Sequence, residues 1–498
     1  MAHRALFKSG LFFSPKLEMA RQYDKVCARY PDNELLILFD IDGTILDMRC
    51  MILYLLTKYD EEHGTSLFQG LELPDIGVHE NQDDRLLGGL NLPQPLCQKV
   101  QDWYLSNRWS SAAILSAHCP FGGVMEVIRW FQIQPRTNVG LNTGRPTSIR
   151  EDTLRSLNEL GREYRVAFSD DLLFMNPGRW SQNVEGSKVA GLRHFQQAGY
   201  RVFAAVDNEP ANLTALADAD VDGKVLLLHA DTIFETARTR LPAGAVGGAK
   251  YEITELISEK ALPHKVQLVW HGLNDDANIR QFLASNVEWA EFDVRIDPAG
   301  RLIVRHDSFE ETPLEEEDEF LSFDDVLQRF ETFHKSIKID FKEGGEFIDR
   351  VIALVEKTHL ARERLWFNGH IEVLGEEGFR KLAAAFPGTI IQCRIDFLVP
   401  LIEILPEEGK RILDKLCGWG INRFSVPWGI PSLTHSVDLM DRWGFDINIY
   451  NVPDLESFLK AVLQQPRSVT SDFNFPKWHY YGRGSGEDAR RHEYEQRS

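Results

Sequence analysis

The chain is poor in the residues that build disulfide-framed or zinc-built folds. Its six cysteines (Cys27, Cys50, Cys97, Cys119, Cys393 and Cys417) are scattered through 498 residues with no Cys-x-x-Cys pair. That excludes a zinc ribbon and predicts reduced thiols in a cytoplasmic setting. Long hydrophobic runs are also missing. Nothing approaches the ~18 apolar residues of a membrane span, and the patch from Ala5 to Phe13 is interrupted by Lys8, so neither a transmembrane segment nor a signal peptide is expected. Positive charge is short: 55 Lys and Arg stand against 75 Asp and Glu, a net charge of -20. So acidic a chain does not draw nucleic acid or anionic lipid by its overall field. Small anionic substrates would have to be met by a bound metal or by local cations.

What is present is ordinary globular material, 43% apolar and 26% charged. A chain of 498 residues exceeds what one core supports, which predicts two or three domains. The first organising stretch is Leu35-Leu-Ile-Leu-Phe39, a run apolar enough to be a strand covered on both faces. It ends in Asp40-Ile-Asp42-Gly43-Thr44. Carboxylates at the carboxyl end of such a strand stand where open α/β sheets bind ligands, and Gly43 permits the sharp turn. A second strand, Thr137–Asn142, leads into Thr143-Gly-Arg-Pro and a helix from Thr147 to Leu160. A hydroxyl ahead of a helix N-terminus suits a phosphate oxygen. Lys188 opens a helix from Ser187 to Ala198. Val202 to Val206 is another buried run, and it ends in Asp207-Asn208-Glu209.

These strings resemble the motifs of haloacid dehalogenase-like phosphohydrolases. The resemblance implies a Rossmann-like parallel sheet over residues 1–240 with a helical cap at about 48–135. It implies that Asp40 attacks phosphorus to form an aspartyl-phosphate and that Asp42 serves as acid and base. Thr143 and Lys188 would hold phosphoryl oxygens, and Asp40, Asp42 and Asp207 would bind Mg²⁺. The family's second acid in the fourth motif is replaced: Asn208 follows Asp207 directly.

Leu241 to Gly248 is rich in Pro and Gly, and 241–262 reads as a linker. Beyond it short apolar runs alternate with helical segments: Val266–Trp270, Ala290–Val294, Ile337–Phe341, Leu365–Asn368, Thr389–Arg394, Arg423–Val426, Asp446–Ile449 and Ser468–Asp472. Eight such runs over 263–485, with a hairpin-like Arg301–His306, predict a (β/α)₈ TIM barrel, so the fold class is α/β throughout. A polar tail at 486–498 is expected to be disordered. Glu291 and Asp293 lie two apart on a strand and point into the barrel. Inward acids are costly unless paired or bound to metal, and oxygen donors suit Mg²⁺ or Ca²⁺, with Asp340 as the third ligand.

Trp270-His271-Gly272, Glu291-Phe-Asp293-Val, His306-Asp307 and Asp340-Phe-Lys342 resemble the glycerophosphodiester phosphodiesterases among the phospholipase-C-like barrels. By that resemblance Glu291, Asp293 and Asp340 bind the cation, His271 and His306 form the acid/base pair, and Lys342 neutralises phosphate. Gly272 stands where the family carries Arg, and Asp340 where it usually carries Glu. A run with seven acids among residues 310–319 replaces a larger insertion. Two readings follow. In the first, both halves are active: a bifunctional Mg²⁺-dependent hydrolase opens phosphodiesters in the barrel and hydrolyses phosphomonoesters in the first half. In the second, only one half is active: either the phosphatase half, with Gly272 and the changed third ligand marking the barrel as a binding or regulatory module, or the barrel, with Asn208 marking the first half as one.

Overall fold

The wholly apolar run from Leu35 forms β1 (Leu35–Phe39), buried at every position at the centre of a parallel sheet. The computed structural model of the chain describes residues 15–472 except 91, 179–182, 234–239, 258–261, 263–264, 284, 286 and 315–318. The expected tail at 486–498 lies outside the described residues. The chain divides into two compact units between Leu256 and Ile257.

In the first unit β1 is joined by β2 (Thr137–Pro146), β3 (Leu173–Asn176), β4 (Arg201–Asp207), β5 (Leu226–Ala230) and β6 (Val246–Gly248). Their order is β3-β2-β1-β4-β5-β6, and every pairing is parallel. Phe39 lies opposite Leu141 of β2 and Val206 of β4, so Asp40 and Asp207 emerge at the same edge. Leu36 and Leu38 pack with Leu192 and Phe195 of the helix Val184–Gln197 and with Leu213 and Leu216 of the helix Pro210–Ala219. Between β1 and β2 lies an insertion containing the helices Arg49–His63, Asp83–Gly89, Gln94–Asn107 and Ser111–Ser116.

Three features depart from expectation. β3 was not foreseen, and β6 lies inside the Pro/Gly-rich stretch read as linker. Both are short edge strands whose few residues carry little periodic signal. The third concerns the thiols. Cys50 and Cys119, 69 residues apart, are joined as a disulfide with their Cα atoms 6.2 Å apart, so the reading of six reduced thiols is corrected for this pair. A spacing that long leaves no local motif. Cys27, Cys97, Cys393 and Cys417 are free.

The second unit is a closed barrel of eight parallel strands: β7 (Gln267–Trp270), β8 (Trp289–Ile296), β10 (Ser336–Phe341), β11 (Leu365–Gly369), β12 (Ile390–Arg394), β13 (Arg423–Pro427), β14 (Ile447–Val452) and β15 (Ser468–Ser471). Pairing of β15 with β7 and of β8 with β10 closes the ring. The remaining strand, β9 (Leu302–Val304), pairs antiparallel with β8 as the hairpin pattern predicts.

Branched apolar side chains usually fill such an interior; here polar ones contribute heavily. Asn448 accepts from Ser468 Oγ at 2.8 Å and Thr470 Oγ1 at 3.0 Å. Gln392 donates to Asn368 at 2.6 Å, and the Arg423 guanidinium to Gln267 at 2.6 Å. The buried Trp366 ring receives Lys338 Nζ at 5.0 Å and the Arg423 guanidinium at 4.5 Å, a cation–π arrangement that offsets part of their desolvation. Among the described residues no helix is long and apolar enough to cross a membrane.

Leu38 is fully enclosed in the first core. Leu38→Ala should therefore cost about 3 kcal/mol and lower the midpoint of urea unfolding; an unchanged midpoint would place Leu38 outside the cooperative core.

Candidate active sites

Asp40 leaves β1 with its backbone N–H donating to Val206 O at 2.9 Å, which fixes it beside the end of β4. Lys188 reaches between the strand ends from its helix. Its Nζ lies 2.5 Å from Asp40 Oδ1, 2.7 Å from Asp207 Oδ2 and 2.6 Å from Asn142 O, with all three side chains buried. Burial raises the Asp40 carboxyl, Lys188 pulls it back, and Asp207 and Asp42 raise it again, to about 7. Burial works against the charge of Lys188, but Asp207 and Asp40 outweigh it and hold the ammonium protonated. Two carboxylates thus share one cation.

Asp42 is engaged separately. Arg145, carried on β2 and fully buried, forks onto it, with Nε 2.8 Å from Oδ2 and Nη2 2.6 Å from Oδ1. Burial opposes the Asp42 charge, yet Arg145 more than compensates and lowers its pKa. Thr143 Oγ1 accepts from the Arg145 N–H at 3.2 Å. From the insertion, His118 Nε2 meets Arg145 Nη2 at 3.2 Å and its Nδ1 meets Ser156 Oγ at 2.7 Å. Glu80, buried on the same insertion, is pushed up to about 8 by burial and by Asp42. Asn208 donates its amide to Ile233 O at 2.9 Å. A Cβ at Gly43, where φ is +74°, would strike that amide at 2.1 Å, so glycine is required there. The structure therefore gathers Asp40, Lys188 and Asp207 in one cluster and joins Asp42 to Arg145, whose backbone N–H donates to Thr143. Arg145, His118 and Glu80 were not anticipated: only the Arg in Thr143-Gly-Arg-Pro was near a recognised motif.

At the carboxyl end of the barrel, His271 follows β7, with Nδ1 2.6 Å from Asp472 Oδ1 and Nε2 3.5 Å from Glu291 Oε2. Burial disfavours its charge, but Glu291, Asp472 and Asp293 together raise it to about 9. Gly272 has φ +67°, the left-handed region that favours glycine, and its N–H donates to Glu291 Oε2 at 2.9 Å. The Arg-to-Gly departure thus coincides with a backbone contact to a candidate ligand. Asp293 Oδ2 accepts from Asn274 at 2.6 Å, while Lys342 Nζ lies 2.9 Å from its Oδ1. Asp340 is the register partner of Asp293 on the neighbouring strand. Its Oδ2 lies 2.5 Å from the same Lys342 ammonium, and its Oδ1 accepts from Asn368. His306 Nδ1 donates to Asp307 at 2.7 Å.

His271, Glu291, His306, Lys342 and Asp340 line one cavity of about 110 Å³. Arg394, His370 and Tyr450 line its other wall and were missed, since none belongs to a quoted motif. Arg394 Nη1 lies 3.3 Å from His370 Nε2, its guanidinium 4.9 Å from the Tyr450 ring, and Tyr450 donates to Asp396 at 2.6 Å.

The donor chemistry fits a divalent cation in the barrel. Donor atoms of His271, Glu291 and Asp293 lie within 4.8 Å of one another, and the buried Asp293 Oδ1 has no hydrogen bond beyond its ion pair. Asp293 and Asp340 converge on one ammonium, the place a cation would share. In the first unit Asp40 and Asp207 converge on Lys188 in the same way, whereas both Asp42 oxygens are taken by Arg145.

No family model matches the chain, and no curated protein matches it. Among solved structures, a glycerophosphodiester phosphodiesterase from Thermotoga maritima is 18% identical over 44% of this chain and 98% of its own, with a TM-score of 0.32. One from Parabacteroides distasonis is 13% identical over 44% and 96%, with a TM-score of 0.33. A candidate β-phosphoglucomutase from Thermotoga maritima is 16% identical over 45% and 96%, with a TM-score of 0.31. Likenesses of this size leave the chemistry to be read from this chain's own residues.

Arg145→Met would strand the Asp42 carboxylate without its partner. It should destabilise the protein by about 3 kcal/mol or more, and adding Asp42→Leu should recover part of the loss. A double variant no better than Arg145→Met would show that the fork does not couple the two residues.

Proposed function

We propose that the chain is a two-headed phosphoric ester hydrolase, with phosphodiester hydrolysis in the barrel and phosphomonoester hydrolysis in the first unit. The observation that carries the reading is the barrel-mouth cavity, where two carboxylate-oriented histidines, the acids Glu291 and Asp340 and the ammonium of Lys342 face one small space. Glu291 and Asp293, with Asp340 beside them, would hold Mg²⁺ or Ca²⁺ through oxygen donors. A bound cation supplies charge stabilisation at the phosphoryl oxygens.

The remaining work falls to the chain's own side chains. His271, held by Asp472, is placed to give a proton to the leaving oxygen. His306, fixed by Asp307, takes the proton of the attacking water. Lys342, at the same cavity, would neutralise the substrate's anionic oxygens. In the first unit Asp40 is the nucleophile. Lys188 and Thr143 hold phosphoryl oxygens, Asp40 and Asp207 would hold Mg²⁺, and Asp42, kept ionised by Arg145, is the base for water in the second step.

Wild type, Asp40→Asn and His306→Ala should be assayed with Mg²⁺ on p-nitrophenyl phosphate and bis(p-nitrophenyl) phosphate. Asp40→Asn should lose roughly a thousandfold on the monoester and keep the diester. His306→Ala should lose roughly 10²–10⁴-fold on the diester and keep the monoester. If Asp40→Asn abolishes both, the barrel is a binding module. In addition, Glu291→Ala with Asp293→Ala should abolish divalent-ion binding to the barrel by calorimetry; unchanged binding would remove these residues from the metal site.

A further inference from the structure

The insertion between β1 and β2 leaves and rejoins the sheet through two short segments, 45–50 and 117–121. They lie side by side as a small antiparallel ladder. Phe121 N donates to Ile45 O at 2.9 Å, Leu46 bridges Pro120, and Asp47 N donates to Cys119 O at 2.8 Å. The Cys50–Cys119 disulfide comes next along this ladder, on the side of the insertion. Any swing of the insertion must turn at these segments, because they are its covalent connections to the sheet.

The insertion also covers the site. Asp40 is only 7% exposed and Lys188 1%. Side chains of the insertion reach the sheet's own loops and helices: Ser111 Oγ donates to Asp152 at 2.5 Å, and His79 Nε2 lies 3.7 Å from Glu209. A phosphoryl group reaches Asp40 when this cover lifts, as lids do in many enzymes. A covalent bond between the two connecting segments ties them to each other, so neither can move independently of the other as the cover lifts. It also adjoins the chemistry, because Cys119 follows His118, whose ring meets the guanidinium that holds Asp42.

The bond is reachable. Cys50 and Cys119 are half-buried and line an open cavity of about 580 Å³, together with Leu53, Tyr54, Lys58 and His118. That space admits a small thiol.

We propose that Cys50–Cys119 is a thiol-sensitive latch on the two connecting segments of the insertion, closed when oxidised and released by a low-molecular-weight dithiol. In the releasing step a dithiol thiolate attacks one of the two sulfurs and forms a mixed disulfide. The reagent's second thiolate then displaces the protein sulfur. Two electrons and two protons pass to Cys50 and Cys119, which become thiols, and the reagent leaves as a cyclic disulfide.

The latch itself rests on this geometry, while its effect on turnover rests on the phosphatase reading, so two readouts are needed. Full-length protein oxidised with glutathione disulfide, the same protein reduced with dithiothreitol, and Cys50→Ser are compared. Amide hydrogen exchange in 45–50 and 117–121 should be roughly tenfold faster in the reduced protein and in Cys50→Ser than in the oxidised form. Turnover of p-nitrophenyl phosphate should rise roughly fivefold with it, and Cys50→Ser should not respond to dithiothreitol. Equal exchange in both redox forms overturns the latch, as does recovery of Cys50 and Cys119 as free thiols after oxidation. Faster exchange at unchanged turnover overturns its control of the reaction. No phosphomonoester turnover in any form overturns the phosphatase reading, and exchange still decides the latch.

Discussion

Both units are organised by the same electrostatic constraint: acids crowded at the carboxyl ends of parallel strands, where charge is expensive unless paired. In the sheet, Lys188 stands between Asp40 and Asp207. In the barrel, Lys342 stands between Asp293 and Asp340. One ammonium for two carboxylates leaves each cluster short of positive charge. A divalent ion held by those carboxylates would supply the missing charge, as the proposed function requires. Arg145 and Asp42 form the exception, a one-to-one fork that needs no further cation.

The scaffold explains why the acids can stand there at all. β1 is apolar along its whole length, so its helices hold it rigidly and its last residue is followed at once by Asp40. The barrel instead carries amides and hydroxyls far into its interior, from Asn368 and Gln392 to Asn448 and Ser468. Those groups hydrogen-bond in pairs, Gln392 to Asn368 and Ser468 to Asn448, and buried Lys338 and Arg423 have polar or aromatic neighbours. The inward acids therefore sit on a hydrogen-bonded floor rather than a greasy one.

Much of this was legible in the chain. Central strands announce themselves as unbroken apolar runs, and the eight barrel strands are visible from the rhythm of short apolar runs alternating with helical segments. β3 and β6 were not, because three or four residues at a sheet edge carry too little pattern. The fold determines which charged groups meet, and sequence spacing does not. Nothing in the order of residues says that Arg145 turns back onto Asp42, that Asp472, 201 residues away, orients His271, or that Cys50 finds Cys119. Arg394 and His370 are likewise joined only when their strands lie side by side.

The most direct test of the shared-cation account is crystallographic. Crystals soaked in Mn²⁺ should show an anomalous peak in contact with Glu291 and Asp293, with the Lys342 ammonium withdrawn from between Asp293 and Asp340. Crystals in which no ion appears and Lys342 still bridges the two carboxylates would contradict it, because the lysine would then be the permanent counterion and the barrel mouth a site without metal.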